Sequence, residues 1–223
     1  MKMPRIRTIL FMIILLFIIL QLFYGLSFLI GRFFGTGNII IVDPGHGGKD
    51  SGTIGINNSF EKNINLDISK KLSKRLKLMG YKVILTRNTD EYVDNNQRAN
   101  LANRKKAKVF ISIHCNSVEN NSNANGVQVL YYPSEKNNND VPGNELLAQT
   151  ILDEVLKSTK ANNKGIVERK DLIVLNQTNM PAMIVECGFL SNEDEANLLE
   201  ANKYQNKIVD GIINGLENYF NYK

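Results

Sequence analysis

The chain has 223 residues, 27 of them basic and 22 acidic, for a formal net charge of +5, with two histidines and two cysteines. That length allows one domain with a substantial core. Setting aside Lys2, Arg5, Arg7 and Arg32 leaves 23 basic residues against 22 acidic ones and no basic block longer than a few residues, so nucleic acid is excluded as an expected partner.

The N-terminus is basic, and Thr8 to Ile30 then runs without a charge. A helix over that stretch would reach roughly 34 Å, enough to cross a hydrocarbon core of about 30 Å. A cleaved signal peptide has a shorter apolar region and a small-x-small cleavage site. Here the run ends Ser27-Phe28-Leu29-Ile30 with no Ala-x-Ala, which favours an uncleaved signal anchor over a secreted chain. Positive residues stay in the cytoplasm, so the remainder is expected outside it. The expected division is residues 1–34 as basic tip and anchor and 35–223 as one catalytic domain.

Ile39 to Val42 reads as a buried strand. Glu61 to Met79 reads as a helix, with Ile64, Ile68, Leu72 and Leu76 on one face and Gly80 as a left-handed stop. Lys82–Leu85 is a second strand, Asn95–Lys106 a helix, and Val109–Ile113 and Gly126–Tyr131 are strands. Asn144–Lys157 is a helix, Leu172–Leu175 and Ala182–Val185 are strands, and Glu193–Glu200 and Tyr204–Phe220 are closing helices. The Asn-rich stretches Glu119–Asn125 and Asn137–Asp140 read as surface loops. Apolar strands without alternation imply burial on both faces. The expected fold is therefore α/β, a mostly parallel central sheet of about six strands flanked by helices on both faces, preceded by a transmembrane anchor. Ligands in such sheets collect beyond the carboxyl ends of the strands.

Both histidines, His46 and His114, follow apolar strands, so parallel strands would bring them to one rim. Around His46, Asp43-Pro44-Gly45-His46-Gly47-Gly48 makes a tight turn that no side chain crowds. Glu61 stands in the first turn of the first helix, where the dipole favours an acid and where it could return to the mouth of the first strand. Two imidazoles and a carboxylate suit zinc, one ion per chain, with a fourth position left open. Glu186 directly follows the apolar run Ala182–Val185, where a carboxylate is costly without a role. There it could move protons to and from a reacting group. Cys115 and Cys187 sit at strand ends and read as buried free thiols. Each is one step past a candidate site residue and so points to the opposite face. Asn116 and Gln128 are candidate substrate hydrogen-bond donors. Arg87 is a candidate for binding a peptide carboxylate, against the alternative of an internal salt bridge. Asp43 is read either as an acceptor orienting His46 or as a turn cap.

Taken in order, Asp43-Pro44-Gly45-His46-Gly47-Gly48, Glu61-Lys62-Asn63, Leu85-Thr86-Arg87, Phe110-Ile111-Ser112-Ile113-His114-Cys115-Asn116 and Val185-Glu186-Cys187-Gly188-Phe189 resemble the zinc-dependent N-acetylmuramoyl-L-alanine amidases of the amidase 3 type. The resemblance runs from about Ile39 to Phe220. It implies that His46, Glu61 and His114 hold zinc, that Glu186 is the catalytic acid/base, and that the substrate is peptidoglycan. The layout of an anchor plus a catalytic domain, with no wall-binding repeat before Lys223, is similar to that of sporulation amidases, which act in forming the muramic-δ-lactam of the spore cortex. It also implies reliance on the anchor or on an accessory protein for substrate access. Two other readings stay open at this point: a zinc carboxypeptidase acting on wall peptides, and a non-catalytic wall-binding protein.

Overall fold

The computed structural model of the chain describes residues 10–21, 39–133 and 143–222. The chain divides into two units, residues 1–36 and residues 37–223. In the first, residues 10–21 form a helix whose Leu, Ile and Phe side chains are exposed. The rest of the expected anchor, and the Asn137–Asp140 stretch, lie outside the described residues. Among the described residues no helix is long and apolar enough to cross a membrane.

The second unit is an α/β layer structure. Its strands are β1 (Ile39–Pro44), β2 (Lys82–Leu85), β3 (Val109–Asn116), β4 (Val127–Tyr131), β5 (Asn163–Glu168) and β6 (Ala182–Phe189). They form one sheet in the order β2-β1-β3-β6-β4-β5, and β4·β6 is the antiparallel pair among otherwise parallel ones. The helices are α1 (Glu61–Leu78), α2 (Asn95–Arg104), α3 (Asn144–Thr159), α4 (Ile173–Asn176), α5 (Glu193–Glu200) and α6 (Asn202–Asn221).

Alternate residues of each strand face opposite layers, as the pleat requires. Ile40, Val42, Ile111, Ile113, Met183 and Val185 meet α1, α3, α5 and α6 in the larger core. Ile41, Phe110, Leu130 and Ile184 meet the short helices α2 and α4 in a smaller one. Each fully buried aliphatic chain contributes about 1.5–3 kcal/mol, so the larger core carries most of the stability. Within it α3 and α6 approach closely. A Cβ built on Gly211 would lie 2.4 Å from the Val155 Cα, so glycine is what permits the contact. Toward the carboxyl ends of β1 and β3 the polar residues Asp43 and Ser112 are buried, and Arg98 of α2 pairs with Asp43.

Most expected elements form within a few residues of their predicted ends, and Gly80 has the left-handed φ of +92°. Two expectations are corrected. Leu172–Leu175 does not form a strand. It begins the short helix α4, whose Val174 and Leu175 cap the smaller core. A four-residue apolar run does not distinguish strand from helix. The sixth strand is β5, an edge strand with largely solvated side chains and a left-handed Gly165, which has no buried alternation to reveal it.

Candidate metal centre and active site

Parallel pairing of β1 with β3, and of β3 with β6, brings three strand ends to one rim. His46 lies in the loop after β1 with a left-handed φ of +59°, a strained conformation for a residue with a Cβ. Reciprocal backbone hydrogen bonds between Gly47 and Asp50 close the loop (2.8 and 3.1 Å). His114 stands near the end of β3, where the register against β6 shifts. At that bulge the Cys115 amide donates to Glu61 Oε1 at 3.1 Å. Bulges commonly re-aim side chains at functional sites.

Glu61 opens α1 and is 3 % exposed. His46 Nε2 lies 3.2 Å and His114 Nδ1 3.0 Å from its Oε1. Oε2 accepts from the Thr53 amide at 2.9 Å, and Asn65 Nδ2 adds a 3.2 Å bond to Oε1. The two imidazole rings stand edge to face, 4.8 Å apart. One donor atom from each of His46, Glu61 and His114 lies within 4.8 Å of the others, so the three could hold a metal ion. The charges agree with that use. Burial works to lower His46, but its bonds and attraction to Glu61, then Asp50, outweigh it and raise the imidazole to about 9. Burial works to raise Glu61, but His114 and His46 together hold it well below the usual carboxylate range.

Two glycines make room for this convergence. A Cβ on Gly45 would sit 2.2 Å from the His114 Nε2, and one on Gly52 would sit 2.5 Å from the Glu61 Oε2. A Gly45→Ala protein must therefore turn the His114 ring aside. A displacement of about 1 Å at such a centre can cost roughly 10²-fold in rate. The expected outcome is a folded protein, by circular dichroism, with at least that loss in kcat/KM; retention of wild-type kcat/KM would show that the packing is not needed.

Glu186 is Cα-paired with His114 across β3·β6 and with Gln128 across β4·β6. Its Oε2 is buried with no hydrogen-bond partner. Burial is the largest influence on it and raises it to about 7; His114 opposes that rise and Glu61 adds to it. A buried, unsatisfied carboxyl beside three metal-capable donors is what a reacting group would satisfy. Cys115 and Cys187 are free and buried in the larger core, on the face away from His114 and Glu186. Burial raises both thiols well above their ordinary range.

The proposed substrate residues separate. Gln128 stands half-buried beside Glu186 and donates to the Lys164 carbonyl at 3.3 Å. Asn116, two residues past His114, uses its side-chain oxygen to accept from the Ser117 amide at 2.7 Å. Arg87 is corrected: it is 2 % exposed and offers no group to a peptide carboxylate. Its guanidinium donates to the carbonyls of Pro44, Gly45, Lys62 and Thr89, a clamp on main chain and not a salt bridge. Asp43 does not touch His46 either. It accepts from Thr86, Arg98 and Ser112. The carboxylate that orients His46 is Asp50, which accepts from Nδ1 at 2.9 Å and leaves Nε2 turned toward Glu61. Its position four residues after His46, inside a glycine turn, was the available signal.

An imidazole–carboxylate–imidazole set that could hold a metal ion and a buried acid oxygen without a partner meet at the carboxyl rim of a mostly parallel sheet, an arrangement suited to a hydrolase on an α/β scaffold. The Amidase_3 model, described as N-acetylmuramoyl-L-alanine amidase, matches residues 40–218, and the chain belongs to that family. It is 31 % identical over 202 residues to the germination-specific N-acetylmuramoyl-L-alanine amidase of Bacillus subtilis, covering 84 % of this chain and 82 % of that one. It is 38 % identical to the putative amidase YrvJ of the same organism over 181 residues, 81 % of this chain but 33 % of YrvJ. Among solved structures, the CwlD amidase of Clostridioides difficile, determined in complex with the GerS lipoprotein, matches with a TM-score of 0.74 and 33 % identity, over 82 % of this chain and 98 % of that one. The enzyme is an N-acetylmuramoyl-L-alanine amidase, a peptidoglycan hydrolase acting outside the cytoplasm.

Proposed function

We propose that this amidase works with one zinc ion held by His46, Glu61 and His114, and with Glu186 as its acid/base. The observation that carries the reading is the convergence of two imidazoles and one carboxylate within 4.8 Å beside a buried carboxyl oxygen that has no partner. Two nitrogens and one oxygen suit zinc and leave a fourth position for water. When bound there, zinc supplies a Lewis acid that polarises the lactyl carbonyl and acidifies the attacking water. Glu186 accepts a proton from that water as it adds to the carbonyl carbon. It then delivers the proton to the L-alanine nitrogen as the C–N bond breaks. Asp50 keeps the Nδ1 proton of His46 in place, and with it the tautomer that presents Nε2. No protein nucleophile takes part, and both thiols face away from the site. Gln128, beside Glu186, and Asn116 supply hydrogen bonds to the glycan or stem peptide.

Residues 1–34 act as basic tip and membrane anchor and residues 35–223 as the catalytic domain; an apolar helix over 10–21 with exposed side chains supports an apolar surrounding for that segment. The similarity to a germination-specific amidase supports a place in forming the muramic-δ-lactam of the spore cortex. The similarity to an amidase solved with a lipoprotein supports an accessory protein as partner.

Digestion of purified muropeptides by the full-length protein tests the central claim. The expected product carries a new free L-alanine amine, and metal analysis finds about one zinc per chain, the number that a single three-residue set holds. Release of a terminal amino acid from the stem peptide instead would identify a carboxypeptidase.

A further inference from the structure

We propose that Arg98 is a positioning residue for the metal centre, acting through the main chain of the His46 loop; this rests on the zinc reading above. Arg98 is 2 % exposed, and its guanidinium reaches four acceptors. Nε donates to the Val93 carbonyl at 2.8 Å. Nη1 donates to Asp43 Oδ1 at 2.7 Å and to the Pro44 carbonyl at 2.6 Å. Nη2 donates to the carbonyl of His46 itself at 2.8 Å. One rigid side chain thus joins the start of α2, the end of β1 and the backbone of a ligand.

The arrangement explains a conformation that the loop would not hold alone. His46 has a left-handed φ, which persists only where its surroundings over-determine it. The carbonyls of Pro44, Gly45 and His46 all accept from buried guanidinium groups, those of Arg87 and Arg98. With three successive carbonyls drawn inward, the His46 side chain stays turned toward Glu61. Asp43, 1 % exposed and held by Ser112 at 2.7 Å, fixes the arginine fork in turn. The fork is what matters. A lysine carries the same charge on a single point and cannot reach Asp43 and three carbonyls at once.

The test measures zinc affinity of the full-length protein by competition with a chelating indicator. Arg98→Lys is expected to bind zinc roughly 10- to 100-fold more weakly. A Leu152→Ala protein, destabilised in the distant α3 layer, is expected to lose thermal stability and keep wild-type affinity. Should Arg98→Lys not fold, the double variant Asp43→Asn/Arg98→Met removes both buried charges at similar volume, and the same loss is expected. Wild-type affinity in the folded Arg98 variant, or weakening in Leu152→Ala in proportion to its lost stability, overturns the proposal. A wild-type protein that binds no zinc overturns the zinc reading itself, and no other outcome does.

Discussion

Replacing Glu186 by Gln lowers kcat on muropeptides by roughly 10²–10⁴, the usual worth of one proton-transferring side chain, while leaving zinc bound at one per chain. The substitution keeps shape and volume and removes only the capacity to take up a proton and return it. Three features support Glu186 as the group proposed for that work. It is paired with His114 across β3·β6, so it shares the rim with the metal-capable donors. Burial raises it to about 7, close to the pH at which a group can both accept and donate. One of its oxygens is buried without a partner, so nothing in the fold consumes its bonding capacity. The last point carries a second expectation. A buried carboxylate that holds nothing together is a cost to the folded state, so Glu186→Gln should melt at or above the wild-type temperature. Glu61 contrasts with it. That carboxylate accepts from Thr53, Asn65 and Cys115 as well as facing both imidazoles, so its removal would cost structure and metal together. A Glu186→Gln enzyme with undiminished kcat would remove the carboxyl group from the mechanism.

What the sequence made legible follows from how strongly each element signals. The buried strands β1, β3 and β6 are short, continuous apolar runs bounded by turn residues, and α1 carries its aliphatic stripe at helical spacing, so their type is legible in the sequence. The edge strand β5 buries little and leaves no such trace. The run Leu172–Leu175 is apolar because it covers a core, which helices and strands do equally well. At the site, His46, His114, Glu61 and Glu186 stand out because rare or costly residue types sit at strand and helix ends. The residues behind them do not. Arg87 sits after a strand end like a binding residue, yet its guanidinium turns inward to carbonyls 42 and 43 positions away. Arg98 does carry a signal in the sequence: it lies four residues before Ala102, on the buried stripe of α2. A charged residue on a stripe of small apolar ones is expensive unless it is paired. Its partner, Asp43, lies 55 positions earlier, and that pairing exists only in three dimensions.

Replacing either His46 or His114 by Ala is expected to abolish stoichiometric zinc binding and, with it, detectable turnover. Three protein donors are the minimum of a catalytic zinc set, and two leave an ion held largely by water. The wild-type protein adds a sharper expectation, in the pH dependence of its affinity. A ligand imidazole must give up its proton to bind. In the metal-free protein His46 is protonated up to about pH 9, because Glu61 and Asp50 stabilise the imidazolium more than burial disfavours it. Below that pH each zinc ion must displace this proton. The apparent affinity should therefore climb by about tenfold per pH unit between about pH 7 and 9, then level off once the proton is gone. Glu61 and Asp50 thus act twice: they stabilise the protonated His46 when no cation is there, and they hold the His46 ring with its Nε2 beside Glu61, which also meets His114. Calorimetry in buffers of different ionisation enthalpy would count the released proton directly. One zinc per chain in both histidine variants would instead place the metal elsewhere in the molecule.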